Sequence, residues 1–91
     1  MISFYNIFIQ PKSGITDKDV EKVMNLALDW YRYSNSNWLV KSSSNVDKWQ
    51  TRLKPLVAPG GKLVILKIDT SERQGWLSKD FWSWYDEVRN K

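Results

Sequence analysis

Apolar and polar positions alternate from the start of the chain. Over Ile2 to Gln10, Tyr5, Ile7 and Ile9 fall on one side and Phe4, Asn6 and Phe8 on the other, which predicts a strand. Pro11-Lys12-Ser13-Gly14 reads as a turn. The period then lengthens. Thr16 is a helix N-cap with Asp19 three residues on as its capping-box partner, and Ile15 and Val20 are placed as a hydrophobic staple. Val20, Val23, Met24, Ala27, Leu28 and Tyr31 follow at helical spacing, a stripe expected to bury against a sheet. Trp30 to Ser34 fits either a last helical turn or the start of an extended segment.

Asn37 to Ser42 predicts a short strand, with Trp38 and Val40 on one side and Leu39 and Lys41 on the other. Ser44 as N-cap and Asp47 as capping-box partner then open a second helix, carried by Val46, Trp49, Leu53 and Leu56. Pro55 clashes with the carbonyl four residues back, so this helix is expected to kink or end near Lys54. Pro59-Gly60-Gly61 is a strong turn signal. Lys62 to Asp69 carries four consecutive apolar residues, Leu63 to Leu66, the pattern of a strand covered on both faces. A polar loop is expected over Ser71 to Gly75. A last helix is expected over about Ser78 to Asn90, with Phe81, Trp84, Tyr85 and Val88 on one side and a Leu77–Trp82 staple.

The order β, α, a strand or bent strand pair, α, β, α favours crossovers onto one sheet. The expected fold class is α+β: a single ferredoxin-like domain over residues 1–91, with two helices on one face of a small sheet and an extra C-terminal helix.

Composition narrows the chemistry. The chain has no Cys and no His. Disulfides, thiolate zinc sites, a Cys nucleophile and His-based acid–base catalysis are therefore excluded. Ten serines without a His make no catalytic triad. No apolar stretch approaches the roughly 18 residues of a membrane span, so no membrane association is expected. The first six residues lack the basic region of a secretory signal, and a cytoplasmic location is expected.

The net charge of +4 is uneven. Arg32 to Lys67 holds seven basic residues and one acid, Asp47, whereas the remainder holds seven basic and nine acidic residues. Aromatics interleave with the bases through Arg32, Trp38, Lys41, Lys48, Trp49 and Arg52. That mixture suits nucleic acid, and it better suits a solvated face with basic stems packed over Trp.

The segment Asp29-Trp30-Tyr31-Arg32-Tyr33-Ser34-Asn35-Ser36-Asn37-Trp38-Leu39-Val40-Lys41-Ser42 resembles the small SinR-like proteins of bacteria and phages. So does Arg52-Leu53-Lys54-Pro55-Leu56 followed by Leu63-Val64-Ile65-Leu66-Lys67-Ile68. The resemblance implies a ferredoxin-like domain that dimerises, similar in fold to the CRISPR-associated adaptation subunit described as a metal-dependent endoribonuclease. It also implies an acid near the end of the first strand that holds a divalent metal. Here the strand ends Phe8-Ile9-Gln10, and an amide oxygen replaces that carboxylate.

Other acids have structural readings. Asp17, Asp19 and Glu21 suit a helix N-terminus, Asp86 and Glu87 are expected to be exposed, and Asp69 ends a strand with no sequence partner. Lys12-Ser13-Gly14 lacks the spacing of a phosphate loop. No catalytic residue, metal ligand or cofactor site is assigned.

Phe4 and Phe8 lie opposite the Tyr5 face, and three covers are open to them. These are single-stranded bases, a homodimer interface, or the last helix folding back with Phe81 and Trp84. Six Trp exceed what a small core readily absorbs, so one or two are expected on contact surfaces. The functional expectation is a non-catalytic binding protein of the SinR-like type, a homodimer acting on a protein or nucleic acid. A metal-dependent endonuclease on the same scaffold and a phage-encoded inhibitor of a host defence or regulatory system are the alternatives.

Overall fold

The computed structural model describes residues 2–69, 75 and 78–89. The elements run β1 (Ser3–Gln10), α1 (Asp17–Met24), β2 (Asp29–Ser34), β3 (Asn37–Ser42), α2 (Val46–Val57), β4 (Lys62–Ile68) and α3 (Lys79–Arg89). The expected Ser71–Gly75 loop, apart from Gly75, and the Leu77 half of the staple lie outside the described residues.

The four strands form one antiparallel sheet in the order β2-β3-β1-β4. Each helical connection skips one strand: α1 links β1 to β2 across β3, and α2 links β3 to β4 across β1. This is the ferredoxin-like α+β arrangement.

The two-residue period of β1 sorts the core into two layers. Tyr5, Ile7 and Ile9 join Trp38 and Val40 on one face and pack against Val20 and Met24 of α1 and Trp49, Leu53 and Val57 of α2. Phe4 and Leu39 join Phe81, Tyr85 and Val88 of α3 on the other face. Each fully buried aliphatic side chain of this kind contributes about 1.5–3 kcal/mol.

The start of α1 is as expected. The Thr16 side chain accepts from the Asp19 N–H at 3.2 Å, and the Asp19 carboxylate accepts from the Thr16 N–H at 2.9 Å. Its end is not. The helix stops at Met24 with Asn25 as C-cap, so Ala27, Leu28 and Tyr31 leave the helical stripe. Three-residue hydrogen bonds from Leu26 to Val23 and from Ala27 to Met24 tighten the exit. The Leu28 N–H then donates to Lys41, and ladder pairing with β3 takes over. Leu28 is left exposed.

The start of α2 also differs. Asn45, not Ser44, is the N-cap, accepting from the Lys48 N–H at 2.9 Å. Ser44 is engaged elsewhere: its carbonyl accepts from the Tyr5 hydroxyl at 2.8 Å. Pro55 does not end the helix, which continues to Val57. Proline inside a helix costs about 3 kcal/mol. Burial of Leu53 and Val57, with the Ala58 N–H closing on Lys54 at 2.9 Å, holds the last turn.

The β4 expectation fails on one face. Leu63 and Ile65 are partly buried on the α2 side, but Val64 is 47% and Leu66 57% exposed. β4 is an edge strand, and α3 packs at the β2 side of the second face.

Candidate functional site

The expected basic and aromatic residues do not assemble into one patch. Trp38 and Trp49 are core residues, 1% and 0% exposed. They present no face to a partner, which corrects their assignment as binding residues. The Trp49 indole N–H donates to the Ser42 hydroxyl at 2.9 Å, and Trp30 packs on Trp38 with ring centroids 4.7 Å apart. The Arg32 guanidinium lies 5.1 Å over Trp38, and that of Arg52 lies 5.0 Å over Trp49. The buried Nε of Arg32 and Nη1 of Arg52 have no hydrogen-bond partner, and the indole faces take that place. Arg32 also pairs with Asp17 at 3.3 Å and donates to the Asn35 carbonyl at 2.7 Å.

Lys41 is buried as well. Its Nζ donates to the Val88 carbonyl at 2.9 Å, near the end of α3. Directly across the strand pair, the Asp29 carboxylate accepts from the Trp84 indole at 3.1 Å. This cross-strand acid–base pair therefore fastens α3 to the sheet. Of the four proposed cations, Lys48 alone is fully exposed, on α2.

α3 supplies the cover for Phe4, whose ring lies 6.4 Å from that of Tyr85. Phe4 is thus buried within the chain and is not a free interface residue. Phe8 is different. It sits opposite Val64, outside the α3 cluster, and is half-buried. Phe8, Val64 and Leu66 share the part of the second face formed by β1 and β4, beside Asn6. The Asn6 side chain oxygen accepts from the Tyr33 hydroxyl. Burial raises the Tyr33 phenol above its usual value of 10.0, with the Asn6 bond opposing.

The absorption of Trp was not readable from counting. Of the Trp whose surroundings are described, Trp38 and Trp49 are buried and Trp30, Trp82 and Trp84 half-buried. Two cores, one on each face, take up what one small core cannot.

A second surface feature was missed altogether. A cleft of about 530 Å³ runs between α2 and the β4 edge. Val46, Gln50 and Lys54, one helical turn apart on α2, form its wall, and Leu63 and Ile65 form its floor. The Ala58–Gly61 turn closes one end. That turn requires its glycines. Gly60 has φ +96°, and a Cβ on Gly61 would meet the Gln10 carbonyl at 2.5 Å and the Val57 carbonyl at 2.8 Å. The periodicities of α2 and β4 contain this cleft, but only the turn geometry brings them side by side.

The acids remain dispersed. Among the described residues no group of three or more Asp, Glu, His or Cys is placed to hold a metal ion. Gln10 is exposed at the strand end, opposite Lys62.

Fold and surfaces together define a ferredoxin-like α+β domain with Val64 and Leu66 exposed on one half-face and a closed-ended cleft along one sheet edge. The chain matches no family model, no curated protein and no solved structure.

Proposed function

We propose that this protein is a non-catalytic binding protein of the SinR-like type, which forms a homodimer and acts on a protein partner. The observation that carries the reading is the exposure of Val64 and Leu66, with half-buried Phe8 beside them, on the β1–β4 part of a face whose β2 side the chain covers with its own third helix. Apolar side chains grouped in this way gain free energy when a second surface removes them from water. Except for Lys48, the same rings and cations that would stack and pair with nucleic acid are engaged inside the chain. Trp38 and Trp49 are buried, Lys41 holds α3, and Arg32 and Arg52 lie over indoles. A protein surface is therefore the better match.

Sedimentation velocity across a concentration series tests this. A dimer that becomes a monomer in the Leu66→Asp variant is expected, with the far-ultraviolet dichroism unchanged. A wild-type monomer at high concentration would remove the homodimer. Metal-dependent cleavage of labelled RNA or DNA, abolished by chelator, would overturn the non-catalytic reading.

A further inference from the structure

We propose that the β4 edge and the cleft beside it form a strand-addition site for an extended peptide with an apolar centre and carboxylates at its two ends. The inference rests on the reading of the chain as a binding protein, and names the partner chemistry at the strand edge that borders the Phe8 half-face.

The backbone supplies the first argument. Among the described residues, β4 is the last strand of the sheet and pairs with β1 alone. The Ile9 N–H of β1 donates to Ser36, on the β3 side, so the odd residues of β1 bond toward β3 and the even ones toward β4. Even residues of β1 register with even residues of β4. The N–H and C=O groups of Leu63, Ile65 and Lys67 are therefore directed to the open edge, where a further strand would satisfy them.

Side chains supply the second. A peptide laid on this edge turns alternate side chains into the cleft, over Leu63 and Ile65 and against Val46. The cleft has room for such side chains at about 530 Å³, and the Ala58–Gly61 turn sets where the strand must stop.

Charge selects the occupant. β4 reads cation, four apolar residues, cation: Lys62, then Leu63 to Leu66, then Lys67. Lys54 is the charged residue in the cleft lining, which includes no carboxylate. Among the described residues, none of these three lysines makes an ion pair. An added strand with acids opposite the lysines and apolar residues between them is complementary along its whole length. A second copy is a poorer match: self-pairing of two β4 edges gathers four lysines along one seam against the two Asp69 carboxylates just beyond its ends.

The test uses the full chain and a fluorescein-labelled, end-blocked peptide of sequence Glu-Asp-Val-Ile-Val-Val-Asp-Glu, read by fluorescence anisotropy. Three controls accompany it: the same peptide with Lys at the four acidic positions, the acidic peptide N-methylated at alternate backbone amides, and the acidic peptide against the Lys62→Glu/Lys67→Glu variant. Saturable binding of the acidic peptide is expected, weakened roughly tenfold or more by each change. N-methylation leaves the protein untouched, so that arm does not depend on how the variant folds. Absence of binding would overturn the proposal, as would equal binding of the N-methylated or lysine-ended peptide. Sedimentation of the same samples reports the dimer separately. A dimer that persists without peptide binding leaves the homodimer reading standing and removes this one. A dimer that peptide dissociates identifies a second copy as the occupant of the edge and also removes it.

Discussion

Asp29 and Lys41 face each other across β2 and β3, and each holds one part of α3: the carboxylate takes the Trp84 indole, and the ammonium takes the Val88 carbonyl. A charged side chain that loses water in this way must be hydrogen-bonded, and both are. The same economy governs Trp49, whose indole N–H finds the Ser42 hydroxyl inside the first core. Trp49→Ala is expected to cost about 3–5 kcal/mol, read from urea unfolding. At the start of α1, Thr16→Ala removes a cap and is expected to cost about 1 kcal/mol. It also changes the acid limb. Hydrogen bonds from the Thr16 backbone and side chain hold the Asp19 carboxyl below its ordinary value of 3.8. The stability this provides is present above that value and lost as pH falls through the lower folded one. The variant should therefore lose less stability than the parent between neutral pH and acid, measured by urea midpoints at several pH values. The Tyr33 phenol runs the other way. Its raised folded value means stability that is present below 10.0 and lost as pH rises beyond it. Tyr33→Phe should flatten the alkaline decline of the urea midpoint.

At the scale of elements, three helices meet one sheet with unequal support. α1 and α2 close a core of buried aliphatic residues and Trp, whereas α3 closes a smaller aromatic cluster around Phe81. Phe81 is within ring-packing distance of Tyr31, Tyr33, Trp82, Trp84 and Tyr85. Phe81→Ala should cost about 3 kcal/mol and loosen α3 alone. Hydrogen exchange would show this as faster exchange of the amides of 79–89, with β1 and β3 still protected; uniform loss across the sheet would contradict separate docking. Much of the element plan was legible, because strand and helix periods differ. The Thr16 cap and the β1 alternation needed no tertiary information. The end of α1 and the start of β2 were not legible, since Ala27, Leu28 and Tyr31 keep a helical spacing by coincidence. The β3 ladder, reached through the Leu28 N–H, decides between the two. Pro55 misled for a related reason: a local penalty of a few kcal/mol is outweighed by burying Leu53 and Val57.

For the whole molecule, the decisive asymmetry is coverage. Among the described residues, one sheet face is closed by two helices, and the other is covered by α3 toward β2 while Val64 and Leu66 of β4 stay exposed. Leu66→Asp replaces an exposed side chain, so monomer stability should change by no more than about 0.5 kcal/mol while self-association is lost. A large drop in the urea midpoint would show that Leu66 is structural instead. Binding of RNA or DNA, if measured, should be weak, with a shallow log–log salt slope, because Arg32, Lys41 and Arg52 have intramolecular duties and Lys48 is the one proposed cation left exposed. A slope of several charges would restore the nucleic-acid reading.

The order of elements apart from β2, the two faces of β1, the first helix cap and the exclusion of Cys- and His-based chemistry were determined by the sequence alone, because each depends on residues near one another in the chain or on composition. The fate of the functional candidates was decided by tertiary structure. Trp38, Trp49 and Lys41 have the composition of a binding surface, and burial removes them from it. Val64 and Leu66 have the pattern of a covered strand, and the edge position of β4 exposes them. Hydrophobic periodicity states which side of an element is apolar. Whether that side meets the chain itself or a partner depends on contacts between residues far apart in sequence.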